Sequence, residues 1–277
     1  MENKRKSCVA VISLLLLIFI ATSCSDIMSD SSNANDTNVI KTNATFINGI
    51  DVSEHQENIN VNAVNVDFVV VRLGYSGYGT GRCVVDTLFA SNVEKFATTD
   101  TKVALYWASH AITVDEVKNE NQFIIETYNS LSKENQSKIS YIFIDREKIE
   151  DPDNSGSYIG RADYLSNKQF NDVLCEQVHL LQESLPNMKV GIYTNPDYLV
   201  NIIDTDRLGN VPIWIAWWNT TNLDSFDPVI DRVARVSEIT ATYLKRNIVM
   251  WQYSGSGEVS GISRKVDLNL ASSLMFE

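Results

Sequence analysis

The chain has 277 residues, 44% hydrophobic and 21% charged, which is enough apolar material for one large core or two small ones. Its formal net charge of −12 argues against a nucleic-acid-binding protein, because such proteins neutralise phosphates with basic side chains. The same charge argues against a polybasic membrane-binding surface.

Residues 1–23 have the composition of a bacterial lipoprotein signal peptide. Basic residues at positions 4–6 precede the apolar run VAVISLLLLIFIA, and the small-residue segment ATSC ends in a cysteine. We expect lipidation of Cys24, whose acyl chains would anchor the exported protein to a membrane of the cell envelope. A plain secretory signal or a single N-terminal anchor helix is the alternative. Cleavage before Cys24 would leave 20 basic and 34 acidic residues, a formal net charge of −14.

Residues 24–45 are predicted to link this anchor to the folded domain. The segment that follows Cys24, SDIMSDSSNANDTNVIKTNAT, is rich in Ser, Asn, Asp and Thr and lacks apolar periodicity, as is typical of a solvated tether. We therefore assign the globular domain to residues 46–277. Nothing after residue 24 is long and apolar enough to span a bilayer.

The domain contains a series of short, mostly apolar stretches rich in β-branched and aromatic residues. Such near-continuous hydrophobicity is typical of strands that are buried on both faces of a sheet. In chain order the predicted strands are INGIDVS (47–53), VDFVVVRLGY (66–75), KVALYWAS (102–109), ISYIFIDRE (139–147), MKVGIYTN (188–195), VPIWIAWW (211–218), NIVMWQYS (247–254) and KVDLNL (265–270).

Amphipathic helical patterns separate several of these strands. The predicted helices cover residues 86–98, 113–131 and 166–185. The second opens with Thr113 and Glu116, a capping box, and the third opens with Ser166 and Gln169. The helical signal weakens after residue 205, so loops or hairpins are predicted for the last connections. Alternating strands and helices over about 230 residues predict an α/β fold, a single irregular (β/α) barrel of the TIM type, with a doubly wound open sheet as the competing fold.

The cysteines and histidines of the domain indicate no metal site. Cys83 lies in a glycine-rich loop and Cys175 in a predicted helix, and two thiols alone do not establish a disulfide, so two free cysteines are the simpler interpretation. His55, His110 and His179 are far apart, and no Cys/His group has the spacing of a zinc site. We predict no metal, no cofactor and a monomeric protein.

Polar side chains gather where the predicted strands end. In a parallel barrel the functional groups lie at the carboxyl ends of the strands. The first strand ends with Asp51 and Ser53, which share a face because strand side chains alternate, so both can point into a cleft. The fourth strand ends with Asp145 and Glu147, and the eighth carries Asp267. Three apolar runs are therefore predicted to finish in carboxylates at one substrate-binding rim.

Asp145 and Glu147 are two residues apart and so point to the same side of their strand. Two carboxylates in one cleft repel each other, and the pKa of one of them tends to rise. A protonated acid beside an ionised partner is the arrangement that glycoside hydrolysis needs. Taken alone, the pair could equally be a solvated acidic loop.

Aromatic residues accompany these carboxylates on the late parts of the predicted strands. Flat rings with polar edges suit the faces of sugars, although aromatic side chains also fill barrel cores. The dense group WIAWW indicates that some of them line the cleft. The aromatic residues concerned are Tyr106, Trp107, Trp214, Trp217, Trp218, Trp251 and Tyr253.

Taken in order, these segments resemble the glycoside hydrolase family 25 muramidases, the Chalaropsis-type lysozymes. GIDVSEHQ resembles the family opening G-I-D-V-S-x-x-Q, and VVVRLGYSGYGTG with DTLFASN resembles its second strand and the helix start that follows. VALYW, IFIDRE and YTN correspond to its third, fourth and fifth strands, and PIWIAWW resembles L-W-I-A-x-Y. MWQYSGSGEVSGISRKVDLN resembles the closing segment, so the likeness covers nearly the whole folded domain.

The resemblance implies a flattened, irregular β/α barrel that cleaves the β-1,4 bond between N-acetylmuramic acid and N-acetylglucosamine in peptidoglycan. It implies that Glu147 is the general acid that protonates the leaving oxygen and then the base that activates water. Asp145 would stabilise positive charge at the anomeric carbon or orient the N-acetyl group of the substrate. Asp51 and Asp267 would shape the floor of the site and hold hydroxyls or the acetamido group.

The same resemblance implies that Tyr106, Trp218 and Trp251 form the sugar-binding walls. Arg72 is either a counter-charge for the acidic cluster or part of an ordinary surface ion pair. No cell-wall-binding repeat follows the domain, so attachment is expected to depend on the lipid anchor.

Several residues depart from the family pattern. Arg146 stands where the family usually has a small apolar residue, and its side chain is expected to face the helix layer. Trp107 replaces the usual His and Trp218 the usual Tyr, and both changes are expected to widen the aromatic wall. Glu54 and His55 stand where a His-Trp pair is common, and no catalytic role is assigned to them.

The sequence as a whole predicts a lipid-anchored muramidase that acts on the glycan strands of peptidoglycan. One alternative is a non-catalytic glycan-binding lipoprotein, against which the complete set of four carboxylates argues. Another is a glycosidase of different sugar specificity, which the changed aromatic residues at positions 107 and 218 leave open.

Overall fold

The computed structural model describes residues 45–147, 165–218 and 223–277. The predicted signal peptide, the lipidation site Cys24 and the tether up to residue 44 lie outside these ranges. None of the helices within them combines the length and the hydrophobicity needed to cross a bilayer.

A single mixed sheet forms the centre of the domain. Within the described ranges it has nine strands, of which eight close into a barrel. The strands are β1 (Phe46–Val52), β2 (Phe68–Ser76), β3 (Cys83–Val85), β4 (Lys102–Ala108), β5 (Ile139–Asp145), β6 (Lys189–Thr194), β7 (Ile213–Ala216), β8 (Ile248–Gly257) and β9 (Val266–Ser272).

The barrel closes because β1 pairs with strands on both of its sides. β1 runs parallel to β2, and β2, β4, β5, β6, β7 and β8 follow in parallel order around the barrel. β9 lies between β8 and β1 and runs antiparallel to both. The predicted irregular barrel is confirmed, and the closed circuit excludes an open doubly wound sheet.

β3 is an addition at the edge of this circuit. It pairs antiparallel with β2 and carries Cys83, where the sequence predicted a loop. Cys83 and Cys175 are both free thiols, in agreement with the simpler interpretation of the sequence.

Helices cover the outer face of the barrel. In the described part of the chain they are α1 (Phe89–Ala97), α2 (Val114–Asn129), α3 (Lys133–Ser137), α4 (Asn167–Ser184), α5 (Pro196–Asn201), α6 (Thr205–Leu208), α7 (Asp227–Ala234) and α8 (Ala241–Asn247). The side chains of Thr113 and Ser166 accept hydrogen bonds from the first turns of α2 and α4. The reciprocal capping box is complete only at Ser166, because the Glu116 side chain accepts from the N–H of Ile112 and not of Thr113. The prediction of loops or hairpins after residue 205 is wrong in part, because α6, α7 and α8 are short helices and only β8 and β9 form a hairpin.

Alternating side chains divide the core into an inner and an outer layer. Val69, Val71 and Leu73 of β2 point outwards and belong to the apolar layer that packs against the helices. Phe68 and Val70 of the same strand point inwards, in a cluster that fills the barrel. Polar groups replace these apolar side chains at the end of the barrel where the parallel strands finish.

Candidate active site

Four acidic side chains meet at that end of the barrel. Asp51 lies one residue before the end of β1, Asp145 is the last residue of β5, and Glu147 follows two residues later. Asp267 lies near the beginning of β9, directly opposite Asp51 in the β1–β9 register. The expectation that the Asp267 strand finishes at the rim is therefore wrong, but Asp267 still reaches the rim because β9 runs in the opposite direction.

These side chains border a small cavity at the mouth of the barrel, with a volume of about 90 Å³. It is lined by Asp51, Tyr106, Asp145, Glu147, Tyr193, Trp214, Gln252 and Asp267. A second, larger cavity of about 680 Å³ shares Glu147 and Tyr193 with the first. Glu147 thus lies between a deep acidic pocket and an open cleft whose volume is in the range of small-molecule binding sites.

Asp51 is fixed in the floor of the deep pocket by two side-chain amides. Gln252 Nε2 and Asn269 Nδ2 donate to its Oδ2 over 3.0 and 2.8 Å. Burial and the neighbouring Asp267 raise the pKa of Asp51 well above its usual value, although the two amides act in the opposite direction. Burial also raises the pKa of Asp267, whereas its hydrogen bond with Asp51 lowers it. The pair therefore binds a proton more readily than an isolated carboxyl group in water.

Asp145 is a second carboxyl group with a strongly raised pKa, although its side chain is partly exposed to the pocket. Burial is the main cause, and the negative charges of Glu147 and Asp51 add to it. The positive charge of Arg72 lowers the pKa of Asp145 and offsets part of this effect. A positive charge placed in the pocket would therefore stabilise the ionised form of Asp145.

Glu147 is positioned by the loop that begins α5. Asn195 is the N-cap of this helix, and its Oδ1 accepts the backbone N–H of Tyr198 over 2.9 Å. This bond turns the Asn195 amide so that Nδ2 donates to Glu147 Oε1 over 3.3 Å. A helix cap therefore orients one carboxyl oxygen of Glu147.

A second network orients the amide of Gln252. Tyr193 Oη and Trp218 Nε1 donate to Gln252 Oε1 over 2.9 and 3.0 Å. The amide nitrogen is thereby directed at Asp51. Burial raises the pKa of Tyr193 well above its usual value, and the pKa of Tyr106 is raised for the same reason, so both phenols stay protonated at the pocket.

The comparison with known families agrees with this geometry. Residues 50–262 match the model of glycosyl hydrolases family 25, a segment that includes all of the pocket except Asp267. The chain belongs to glycosyl hydrolase family 25. It is therefore a glycoside hydrolase, as the sequence predicted. No curated protein sequence matches it.

Solved structures of similar fold come from other family members and from phage enzymes. The autolysin LytC of Streptococcus pneumoniae, solved with a synthetic peptidoglycan ligand, is 20% identical over 81% of this chain and 46% of its own length, with a TM-score of 0.59. The catalytic domain of endolysin ply40, from bacteriophage P40 of Listeria monocytogenes, is 17% identical over 83% of this chain and 95% of its own, with a TM-score of 0.58. A family 25 glycosyl hydrolase of Bacillus anthracis is 18% identical over 81% of this chain and 88% of its own, with a TM-score of 0.53. This chain therefore spans about half the length of LytC, and the likeness concerns the fold.

The tryptophans of this family 25 domain divide between the cleft and the core. Trp218 is 63% exposed and lines the larger cavity beside Glu147. Trp251 is fully buried in the outer layer, and its Nε1 donates to the carbonyl oxygen of Trp217 over 3.0 Å. The prediction that Trp251 forms a sugar-binding wall is therefore wrong.

Trp107 is also misassigned by the sequence. It is fully buried on the helix side of β4, where its Nε1 donates to Glu120 Oε2 over 3.1 Å. It therefore does not widen the aromatic wall. Its neighbour Tyr106 points the other way and lines the deep pocket.

Arg72 forms ion pairs outside the acidic cluster and also acts as a counter-charge for it, so both interpretations of the sequence apply. Its guanidinium pairs with Asp86 over 2.7 Å and with Glu54 over 3.0 Å, and neither is among the four rim carboxylates. Its charge nevertheless lowers the pKa of Asp145, so it acts on the acidic cluster from a distance.

Ser53 is not among the residues that line either cavity. Its backbone N–H donates to Gln56 Oε1 over 3.0 Å, and its hydroxyl accepts the N–H of His55 over 3.2 Å. The structure therefore places Ser53 in the turn after β1 and does not bring it to either cavity, and its contact with substrate stays a prediction.

Several pocket residues were missed in the sequence. Tyr193, Asn195 and Gln252 each touch a carboxylate or orient a group that does. All three lie in the segments YTN and WQY that carry the family resemblance, so their positions at strand ends could have identified them. Among the described residues there is no group of three or more acidic, His or Cys side chains that could hold a metal ion.

Proposed function

We propose that this enzyme is a peptidoglycan hydrolase that cleaves the β-1,4 bond between N-acetylmuramic acid and N-acetylglucosamine. Membership of family 25 supports peptidoglycan as the substrate class. The fold that it shares with LytC, which was solved with a synthetic peptidoglycan ligand, supports the same class. The choice of bond rests on the resemblance of the sequence to the muramidases.

The position of Glu147 is the observation that carries the assignment of roles. A general acid must reach the oxygen of the bond that breaks. Glu147 borders both cavities, whereas Asp145 borders only the deep one. We therefore assign proton donation to the leaving oxygen, and then proton removal from water, to Glu147.

Asp145 is suited to a different role. Positive charge develops on the anomeric carbon in the transition state. A carboxylate in a desolvated pocket stabilises such charge more strongly than one in water. Asp145 would therefore stabilise the anomeric carbon or orient the N-acetyl group, while Asp51 and Asp267 bind polar groups of the same sugar from the floor.

Product analysis tests the choice of bond. Purified protein is incubated with peptidoglycan, the soluble products are reduced with borohydride, and the modified end sugar is identified by mass spectrometry. We expect reduced N-acetylmuramic acid. Reduced N-acetylglucosamine would assign the other glycosidic bond, and tight binding without release of fragments would indicate a glycan-binding protein without catalysis.

The variant Glu147→Gln tests the assigned acid. It keeps the size of the side chain but removes its proton, so we expect activity to fall by about 10²–10⁴-fold without a change in thermal stability. Glu94→Gln, on the exposed side of α1, is the matched control and should retain wild-type activity. Near-wild-type turnover in Glu147→Gln would remove Glu147 from this role.

We also propose that the mature protein is a monomer attached to a membrane of the cell envelope through lipidated Cys24. The support is the basic, apolar and small-residue pattern that precedes this cysteine. Incorporation of a labelled fatty acid and fractionation of cells test the anchor. Cys24→Ala should abolish labelling and release the protein from the membrane fraction, and labelling that persists would contradict the assignment.

A further inference from the structure

Arg146 lies between Asp145 and Glu147 in the chain, yet its side chain points away from the pocket and into the helix layer. Only 2% of its surface is exposed. Burial lowers the pKa of Arg146 to about 10, so the guanidinium is still a cation at neutral pH. A buried cation is unfavourable unless hydrogen bonds and an opposite charge compensate it.

Within the described ranges, three contacts surround the guanidinium. Nη1 donates to Ser109 Oγ over 3.0 Å, and Nη2 donates to the carbonyl oxygen of Ala111. The guanidinium carbon lies 5.3 Å from the centre of the Phe170 ring of α4. The side chain therefore spans the segment after β4 and the helix α4.

Among the described residues, the main compensating negative charge is that of Glu120 of α2, which is 1% exposed. Its Oε2 accepts from Ser109 Oγ over 2.6 Å and from Gln177 Nε2 of α4 over 2.7 Å. Glu120 raises the pKa of Arg146, with smaller contributions from Tyr198 and Glu116. The hydroxyl of Ser109 thus joins a buried cation to a buried anion.

This network also reaches the backbone of the catalytic strand. The N–H of Ser109 donates to the carbonyl oxygen of Asp145 over 2.8 Å. Ala108 and Asp145 are paired in the β4–β5 register. The end of β5 is consequently held on its outer side by the same residues that hold Arg146.

We propose that Arg146 is a positioning residue, which fixes Asp145 and Glu147 by fastening the end of β5 to α2 and α4 through Ser109 and Glu120. Its part in catalysis rests on the proposed function above. The planar guanidinium supplies separate nitrogens for Ser109 and Ala111 while it stacks on Phe170, and a lysine ammonium cannot make all three contacts together.

The variant Arg146→Lys keeps the charge and removes this geometry. Because a small displacement of a catalytic group is enough to slow a reaction by about 10²-fold, we expect kcat to fall by about 10-fold to 10²-fold with KM within twofold of wild type. Arg207→Lys is the matched control, since Arg207 pairs with Asp172 over 2.9 Å on the surface of α6. The control should leave kcat and KM unchanged.

A second set of variants separates positioning from a purely structural role. Arg146→Met leaves the buried charge of Glu120 without its cation and should lower Tm. Glu120→Gln leaves the buried charge of Arg146 without its anion and should also lower Tm. The double variant has neither charge, so its Tm should return towards that of wild type while its kcat stays low. Recovery of kcat together with Tm would show that the network serves stability alone and would overturn the proposal.

An NMR titration of Asp145 provides a readout that needs no substrate. Its raised pKa depends on burial and on the closeness of Glu147 and Asp51. If Arg146 fixes the end of β5, the pKa of Asp145 should move towards its usual value in Arg146→Lys and stay unchanged in Arg207→Lys. An unchanged titration in Arg146→Lys would contradict positioning. Wild-type protein without hydrolase activity would instead contradict the proposed function, and the titration would then decide the proposal on its own.

Discussion

Asp145 shows how the demands of the site oppose stability at a single residue. Its carboxyl group is buried close to Glu147 and Asp51, and all three effects disfavour its charged form. The charge of Asp145 therefore serves the reaction at the expense of the stability of the folded protein.

The variant Asp145→Asn tests this conflict. It removes a buried negative charge and keeps the shape, so we expect Tm at neutral pH to rise by about 2–4 °C, the shift that ~1 kcal/mol produces in a domain of this size. Hydrolysis should fall to background. Asp100→Asn, at an exposed position before β4, should change neither property. A lower Tm in Asp145→Asn would mean that the folded state compensates the charge of Asp145.

Two tryptophans close to each other in the fold should respond to substitution in opposite ways. Trp218 is exposed at the cleft, so Trp218→Ala should raise KM about fivefold, the effect of ~1 kcal/mol of lost ring contact, and leave Tm nearly unchanged. Trp251 is fully buried, so Trp251→Ala should lower the free energy of unfolding by about 3–5 kcal/mol. Steady-state kinetics and urea unfolding measure the two effects. A change in KM for a stable Trp251 variant would restore that residue to the sugar-binding wall.

The alternation of side chains explains which residues the sequence could assign to the pocket. It correctly directs Asp51 and Asp145 inwards, because each lies on a strand whose phase is set by apolar neighbours. The same rule directs Tyr106 inwards and Trp107 outwards, but both faces of a barrel strand are apolar. An aromatic side chain therefore gives no sign of which face it occupies, and Trp107 and Trp251 were assigned by residue type alone.

At the scale of elements, helix α4 offers a direct test of the capping signal in the sequence. Ser166 accepts from the N–H of Gln169, and the Gln169 side chain accepts from the N–H of Ser166. Ser166→Ala removes one half of this box and should lower the free energy of unfolding by about 1 kcal/mol. Urea unfolding measures the change, and Ser263→Ala, at an exposed position in the segment between β8 and β9, is the control. An unchanged midpoint for Ser166→Ala would mean that tertiary packing alone fixes the start of α4.

Short and reversed elements were the least predictable. α6, α7 and α8 are only four to eight residues long, and helices of that length are formed by packing rather than by a strong local pattern. The sequence of β9 does not show that the strand runs antiparallel, because its hydrophobic pattern would be the same in either direction. The glycine-containing segment between β8 and β9 was the available sign of a hairpin.

For the whole molecule, the sequence favoured a closed barrel over an open sheet but did not show which strands close it. The alternation of strands and helices is a local property of the sequence and fits both a barrel and an open sheet. Closure depends on the pairing of β1 with β2 on one side and with β9, more than 200 residues later, on the other. The number of strands favoured the closed form, and the family resemblance, which extends over both ends of the domain, implied it as well.

The cluster of buried carboxyl groups should make the stability of the whole enzyme depend on pH. Asp51, Asp145 and Asp267 all have raised pKa values in the folded protein, so the folded state binds more protons than the unfolded chain, whose Asp residues titrate near about 3.9. The contribution of these three groups to stability is therefore greatest at low pH and falls as pH rises through their folded pKa values.

The ion-paired groups Glu54 and Asp172 have lowered pKa values and are already ionised above about pH 5, so they do not oppose this trend there. We expect Tm to decrease as pH rises above about 5, and to decrease less in the double variant Asp51→Asn/Asp145→Asn. A wild-type Tm that rises over this range would show that the pocket holds its carboxylates ionised.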